Sequence, residues 1–261
     1  MPPSSNILYE KRGPVAWITI NRPHALNALN RQALLELEGA VRQAGEDPEV
    51  RVVIVTGAGE RAFCAGLDLR EAADKAPLEA RELSKLGHRV FKLIEELPKP
   101  VIAAVNGYAM GGGMELVLSC DLAVASEGAV FSQAEVNVGV TPGWGATQRL
   151  WRFVGVRRAK MLVLTGERIS AAEAERLGIV NKVVPPERLR EEAEALALKL
   201  AEKSPVVLRI AKEQLNRAVD NVLGPGLDYE AEVWSLLFST HDSREGVKAF
   251  LEKRRPEYRG E

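Results

Sequence analysis

A chain of 261 residues, 46% hydrophobic and 27% charged, has the composition of a water-soluble protein long enough to bury a substantial core. Its 35 basic and 36 acidic side chains leave a net charge of -1, which removes any general electrostatic reason to bind nucleic acid or an anionic membrane. At 5% aromatic residues it also lacks material for a base-stacking surface.

Residues 1–13 contain no apolar run of the kind found in signal or transit peptides. Residues 15–20 (VAWITI) read as a buried strand, 31–43 as an amphipathic helix and 52–56 (VVIVT) as a second strand. A loop at 61–69 precedes a helical pattern at 79–96. The strand 101–105 (VIAAV) leads into a glycine-rich turn and a helix opening near Gly113, and 122–125 (LAVA) forms a fourth strand. This alternation argues for an α/β fold. From about Pro186 the pattern changes, and 187–203, 205–221, 227–239 and 243–253 read as helices. Ser204-Pro205, Gly224-Pro225-Gly226 and His241-Asp242-Ser243 separate them. Helices without intervening strands predict a C-terminal helical subdomain, dividing the chain into a core of residues 1–200 and an appendage of 201–261. No apolar run reaches membrane-spanning length, since even 101–120 is broken by Asn106, four glycines and Glu115. Cys64 and Cys120 make neither a disulfide framework nor a metal-spaced pair, and read as reduced, buried thiols of a cytoplasmic protein.

The most informative stretch is 106–116 (NGYAMGGGMEL). Three consecutive glycines, Gly111 to Gly113, are costly inside a helix. At a helix N-terminus they let a ligand approach free N–H groups, where the helix dipole favours negative charge. A phosphate loop would continue with Lys and Ser or Thr, whereas this chain continues Met114-Glu115. A fixed carboxylate suits an acyl group whose carbonyl oxygen becomes negative only during reaction. The plain alternative is a tight crossover with Glu115 as an N-terminal helix charge.

Two further segments carry candidate chemistry. In 61–69 (RAFCAGLDL), Gly66 lies in a loop that can present another N–H, with Asp68 as a simple helix cap as the alternative. In 131–150, Glu135 occupies a mildly apolar setting before a glycine-rich turn, and partial burial would raise its proton affinity as a general acid requires. The alternative for Glu135 is a surface carboxylate or a partner of Arg149.

Residues 21–29 (NRPHALNAL), 62–69 (AFCAGLDL), 99–115 (KPVIAAVNGYAMGGGME), 142–150 (PGWGATQRL) and 245–254 (EGVKAFLEKR) together resemble the crotonase, or enoyl-CoA hydratase, family over nearly the whole chain. The resemblance implies a spiral of repeated β-β-α units followed by helices that build trimers, often paired into hexamers. It implies an oxyanion hole from the backbone N–H groups of Leu67 and Gly112, each such donor worth about a hundred- to thousandfold in rate. It also places Glu115 as the group activating water and Glu135 as the proton donor to the α-carbon. The implied reaction is hydration of a 2-enoyl thioester, with coenzyme A as part of an acyl-CoA substrate and with no separate cofactor or metal.

The same resemblance lays the CoA moiety along His24, Ala25 and Leu26 and the loop Ala65, Gly66 and Asp68, with Arg70 near its phosphates or adenine and Gly111 and Gly143 also binding the substrate; the alternative for His24 is a solvated turn histidine after Pro23. Lys253 and Arg254 are expected to reach a neighbouring subunit's CoA, or else form a solvated basic tail. Trp144 and Ala146 depart from the small-residue run usual at this place, and Trp144 is expected to narrow the acyl pocket toward short or branched substrates. The rival readings are isomerisation, decarboxylation or hydrolysis of an acyl-CoA, an RNA-binding role seen in some relatives, and a cysteine enzyme using Cys64. For the last, no base is identified among His24, His88 and His241.

Overall fold

The computed structural model describes residues 5–73, 75–219 and 223–261. The chain opens with an antiparallel pair, β1 (Ile7–Arg12) and β2 (Val15–Ile20), and then the helix α1 (Arg31–Glu46). Asn30 caps that helix, its side chain accepting the Ala33 N–H at 2.8 Å. The apolar positions Ala33, Leu34, Leu37, Ala40, Val41 and Ala44 recur at helical spacing and are all buried.

Three similar units follow. The first is β3 (Val52–Gly57), β4 (Ala62–Cys64) and helices α2 (Leu69–Ala72) and α3 (Pro77–Glu96). The second is β5 (Val101–Val105), β6 (Tyr108–Met110) and α4 (Gly112–Ser119). The third is β7 (Leu122–Ser126), β8 (Val130–Ser132) and helices α5 (Ala146–Val154) and α6 (Val156–Thr165). Then come β9 (Ile169–Ser170), α7 (Ala171–Arg176), β10 (Lys182–Val184) and α8 (Leu189–Ala201).

In each unit the first strand joins a large sheet ordered β1-β2-β3-β5-β7-β10, and the second joins a small sheet ordered β4-β6-β8-β9. Successive units therefore step one strand along both sheets at once, which winds the chain into a spiral of β-β-α units. Strands β2, β3, β5, β7 and β10 pair in parallel. Two asparagines hold the bend between the sheets: Asn27 Nδ2 donates to the carbonyls of Ala58 and Ala62, and Asn106 Nδ2 to that of Gly59.

Alternation along the large sheet divides the core. Ala16, Ile18, Ile20, Val53 and Val55 face the helices and the small sheet, while Val15, Trp17, Val52 and Ile54 face α8 through Leu189, Ala193 and Ala197. Residues read as the helix 187–203 thus begin as a 3-10 turn at Pro186–Arg188 and continue as α8 on the sheet.

The C-terminal region consists of α9 (Pro205–Ala218), α10 (Leu223–Leu237) and α11 (His241–Leu251). The expected end of the first of these, at 220 and 221, lies outside the described residues. Gly224-Pro225-Gly226 is not a break before a helix at 227, because α10 already runs from Leu223. Proline is tolerated there: in the first turn its missing N–H has no intrahelical acceptor to lose. Likewise α11 starts at His241, two residues earlier than expected, because Thr240 is its cap and accepts the Ser243 N–H at 3.1 Å. Lys212 fastens α9 to the spiral, donating to Asp121 at 2.7 Å and to the carbonyls of Ile94 and Lys99.

Candidate active site

Beyond β4 the chain makes a single parallel bridge, Leu29 with Leu67. The Leu29 N–H donates to the Gly66 carbonyl at 2.7 Å, and the Asp68 N–H to the Leu29 carbonyl at 3.0 Å. The bridge uses the groups on either side of Leu67, so the N–H of Leu67 itself turns away from Leu29. The same loop meets the β6–α4 turn. There Gly66, at φ +90°, lies so close that a Cβ on it would come within 2.7 Å of the Met110 carbonyl and 2.9 Å of the Gly112 nitrogen. Gly112 is the first residue of α4, and its N–H has no intrahelical acceptor. Among the described residues neither the Leu67 nor the Gly112 N–H has a backbone acceptor. Gly66 thus brings the loop that carries the Leu67 N–H against the positive end of α4, where the Gly112 N–H begins the helix.

Glu115, one turn into α4, is 1% exposed. Its Oε1 accepts the N–H groups of Trp144 at 2.8 Å and Ala146 at 2.9 Å, where α5 begins. Burial pushes its proton affinity above the ordinary carboxylate value, while the N–H groups of Ala146, Trp144 and Gly145, and then the charge of Arg149, pull it back down.

Glu135 lies in the 3-10 turn Ala134–Val138 and is half-buried. A Cβ on Gly111 would lie 3.1 Å from its Oε1, which puts this carboxyl against the glycine cluster. Burial pushes Glu135 up to about 7; its own backbone N–H pulls the other way, and the negative charge of Glu115 adds a smaller upward push. The buried amide of Gln133, with its nitrogen turned to the carboxylate as the hydrogen-bonding pattern requires, stands 3.1 and 3.2 Å from the two oxygens. One carboxyl is thus furnished with backbone donors, and its neighbour keeps a proton near neutrality, a division suited to paired base and acid work.

The remaining expected residues fall in different places. His24 and Ala25 belong to an exposed 3-10 turn, and the Leu26 carbonyl accepts the Ala65 N–H at 3.0 Å, so the 24–26 strip adjoins the 65–68 loop. Asp68 has prior commitments: it pairs with Arg22 at 3.0 Å and caps α2 through the Arg70 N–H. Arg70 is exposed on α2, and Gly143 is exposed with its carbonyl bound by Ser84 at 2.7 Å. Trp144 is 4% exposed, its indole lying against Gly87 and Gly112 and edge-on to Phe91 at 5.5 Å. Lys253 lies past the end of α11, and the adjacent Arg254 is taken up by Glu245 and Glu252.

Arg149 pairs with Glu95 rather than with Glu135. Cys64 and Cys120 are free and buried, and burial pushes the Cys64 thiol up to about 12, which leaves it without a nucleophilic thiolate at neutral pH. Sequence reasoning missed Gln133 and Glu95. The first left a signal, a lone amide just past the strand-like Val130-Phe131-Ser132 and two residues before Glu135. Among the described residues no three His, Cys, Asp or Glu side chains are grouped to hold a metal ion, and no helix is long and apolar enough to cross a membrane.

A family model described as Enoyl-CoA hydratase/isomerase matches residues 10–261. The chain is 46% identical over 253 residues to a protein named short-chain-enoyl-CoA hydratase from Clostridium acetobutylicum, covering 97% of each. It is 45% identical to one named crotonyl-CoA hydratase from Syntrophomonas wolfei, again over 97% of each. A crystal structure of an enoyl-CoA hydratase from Bacillus anthracis superposes with a TM-score of 0.94 at 43% identity, over 98% of this chain and 100% of that one.

Proposed function

The chain belongs to the enoyl-CoA hydratase/isomerase family, and from that premise we propose that it adds water across the double bond of a trans-2-enoyl-CoA to give a 3-hydroxyacyl-CoA. The observation that carries this reading is the pairing of Glu115 and Glu135 beside the free N–H groups of Leu67 and Gly112. In the proposed cycle the thioester oxygen sits between those two N–H groups, which stabilise the negative charge that develops as water attacks the β-carbon. Glu115 takes a proton from the water, and its oxygen bonds to the β-carbon. Glu135 gives its proton to the α-carbon, and the proton left on Glu115 then returns to Glu135 through the site's water. The surroundings support this order: backbone donors offset part of the burial that raises Glu115, the charge of Glu115 adds to the rise of Glu135, and Glu135 near 7 holds a proton to give. Isomerisation removes and returns a proton that one carboxylate can carry, so two carboxyls at one site favour hydration.

Coenzyme A enters as the handle of the substrate, lying along His24, Ala25 and Leu26 and the 65–68 loop, with Arg70, Gly111 and Gly143 nearby and Lys253 contributed from a neighbouring copy. The assembly is a homotrimer or homohexamer built through residues 201–261. In support, α9 and α10 contain no buried residue while exposing Leu215, Leu223, Leu227 and Trp234. Trp144 narrows the acyl pocket toward short chains, in keeping with the names of the relatives. The setting is cytoplasmic fatty acid β-oxidation or related acyl-CoA metabolism.

Loss of the conjugated enoyl-thioester absorbance of crotonyl-CoA tests the reading. Wild type should hydrate it rapidly, and Glu115→Gln and Glu135→Gln should each lose about a hundred- to ten-thousandfold in kcat. A folded, CoA-binding wild type that leaves crotonyl-CoA untouched would overturn it.

A further inference from the structure

Glu115 accepts hydrogen bonds from the turn at 144–146, which is anchored at one end by the buried Trp144 indole. Gly145, at φ +125°, caps α5 with no side-chain hydrogen bond. At this end the turn is held by Arg149. Its backbone N–H donates to the Gly145 carbonyl at 2.9 Å, and its guanidinium folds back so that Nη1 donates to the Trp144 carbonyl at 3.1 Å. The guanidinium fills the space beside Gly145, where a Cβ would approach Nη1 to 2.0 Å.

The carbonyl of Trp144 and the N–H of Gly145 belong to one planar trans peptide and point in opposite directions. Drawing the carbonyl toward Arg149 therefore turns the Gly145 N–H toward Glu115, where it joins the donors from Trp144 and Ala146. The other edge of the guanidinium is held by Glu95, whose Oε2 accepts from Nη2 at 2.7 Å and Nε at 3.2 Å. This pair is largely shielded, with side-chain exposures of 13% for Arg149 and 27% for Glu95, so its geometry is better kept than that of a surface ion pair. Glu95 in turn stands at the end of α3, whose carbonyls are tied down by Asn216 at 2.9 Å and by Lys212 at 3.2 Å.

We infer that Glu95 and Arg149 form a positioning pair for Glu115: the fork of Arg149, braced by Glu95, fixes the peptide that aims backbone N–H groups at the catalytic carboxylate. The inference rests on the reading of Glu115 as the group that activates water. Glu95 and Arg149 are committed to each other and to the Trp144 carbonyl. Their action passes through the turn, so it should be felt in kcat and in the ionisation of Glu115, and hardly in KM. The charged groups facing Glu115 are Glu135 from its 3-10 turn and Arg149 of α5, with Glu95 and His88 of α3 behind the guanidinium.

Arg149→Gln removes both the fork and its charge. The pair predicts a kcat for crotonyl-CoA lower by about ten- to a hundredfold, the range expected for a small displacement of a reacting group. KM should stay within about threefold, and the acidic limb of kcat should move to higher pH because Glu115 holds its proton more tightly. Glu95→Gln keeps an acceptor oxygen and should fall between wild type and Arg149→Gln. Lys92→Gln, which removes the exposed pair of Lys92 with Glu96 on the same helix, should match wild type. The 13C resonance of the Glu115 carboxyl, titrated in the substrate-free protein, should shift its midpoint upward in Arg149→Gln. A folded Arg149→Gln with unchanged kcat and an unchanged Glu115 midpoint overturns the inference, as does a variant that raises KM alone. If Arg149→Gln does not fold, Glu95→Gln decides by the same two readouts. An inactive wild type would instead remove the hydratase reading, and the Glu115 titration would still decide whether the pair sets its ionisation.

Discussion

The spiral and the C-terminal helices bury themselves in different ways. Strands β2, β3 and β5 lie between two apolar layers supplied by the same chain, so Ile18, Ile54 and Ile102 are inaccessible to water. Helices α9 and α10 contain no buried residue, and the region presents Trp234 at 61% exposure and Phe250 at 82%. The spiral completes its own core, whereas the helices carry apolar surface of the kind that a second copy covers. On the proposed assembly the reference state differs: the spiral is stabilised by folding, the helices by folding and association together.

The largest expected effect breaks that contrast at its weaker side. Trp234→Glu combined with Phe250→Glu should reduce the assembly to monomers by light scattering, while the circular dichroism of the spiral survives. An assembly that persists would place the interface on another face. Next in size, Ile54→Ala should cost about 2–5 kcal/mol of unfolding free energy and leave the oligomeric state unchanged, because its cavity opens inside one chain.

The two regions also titrate in opposite senses. Burial holds Glu135 at about 7, above its unfolded value of 4.5, so the folded state binds the extra proton and stability falls as pH rises from 4.5 through 7. Glu245 is held at about 2 by hydrogen bonds from Arg254, so its contribution is present above 4.5 and is lost as pH falls toward 2. Calorimetry should accordingly show Glu135→Gln gaining on wild type in Tm between pH 5 and pH 8. Glu245→Gln should lose Tm at pH 6 and approach wild type near pH 2. The smallest change expected is in selectivity. Trp144→Phe should shift the ratio of kcat/KM for six-carbon over four-carbon enoyl-CoA upward by on the order of tenfold, the scale of a few methylenes in an apolar pocket. An unmoved ratio would mean that the indole packs away from the acyl chain.

How much of this was readable beforehand follows from burial and distance along the chain. The stretches 15–20, 52–56, 101–105 and 122–125 stand out in the sequence because both faces of the large sheet are covered, and they appear as β2, β3, β5 and β7. Strands β4, β6 and β8 span three residues each, too few to display any period, and 61–69 looked like an unbroken loop although 62–64 is a strand. The glycines before Glu115 were legible because such a run is expensive unless a turn or a ligand requires it. The bracing of Glu115 was not, since Glu95 and Arg149 are 54 residues apart and meet only after α3 and α5 have docked. The start of α10 was misplaced because a proline signals a break in the sequence but is harmless in a first turn.

The end of α3 serves as a shared bearing. On one side it receives Lys212 and Asn216 from α9, and on the other it offers Glu95 to the turn that cradles Glu115. The C-terminal helices and the carboxylate proposed to activate water are mounted on the same few atoms. A small tilt of α9 would then be geared down into a rotation of one peptide, so a change far from the bound thioester could retune turnover without altering any residue that touches it.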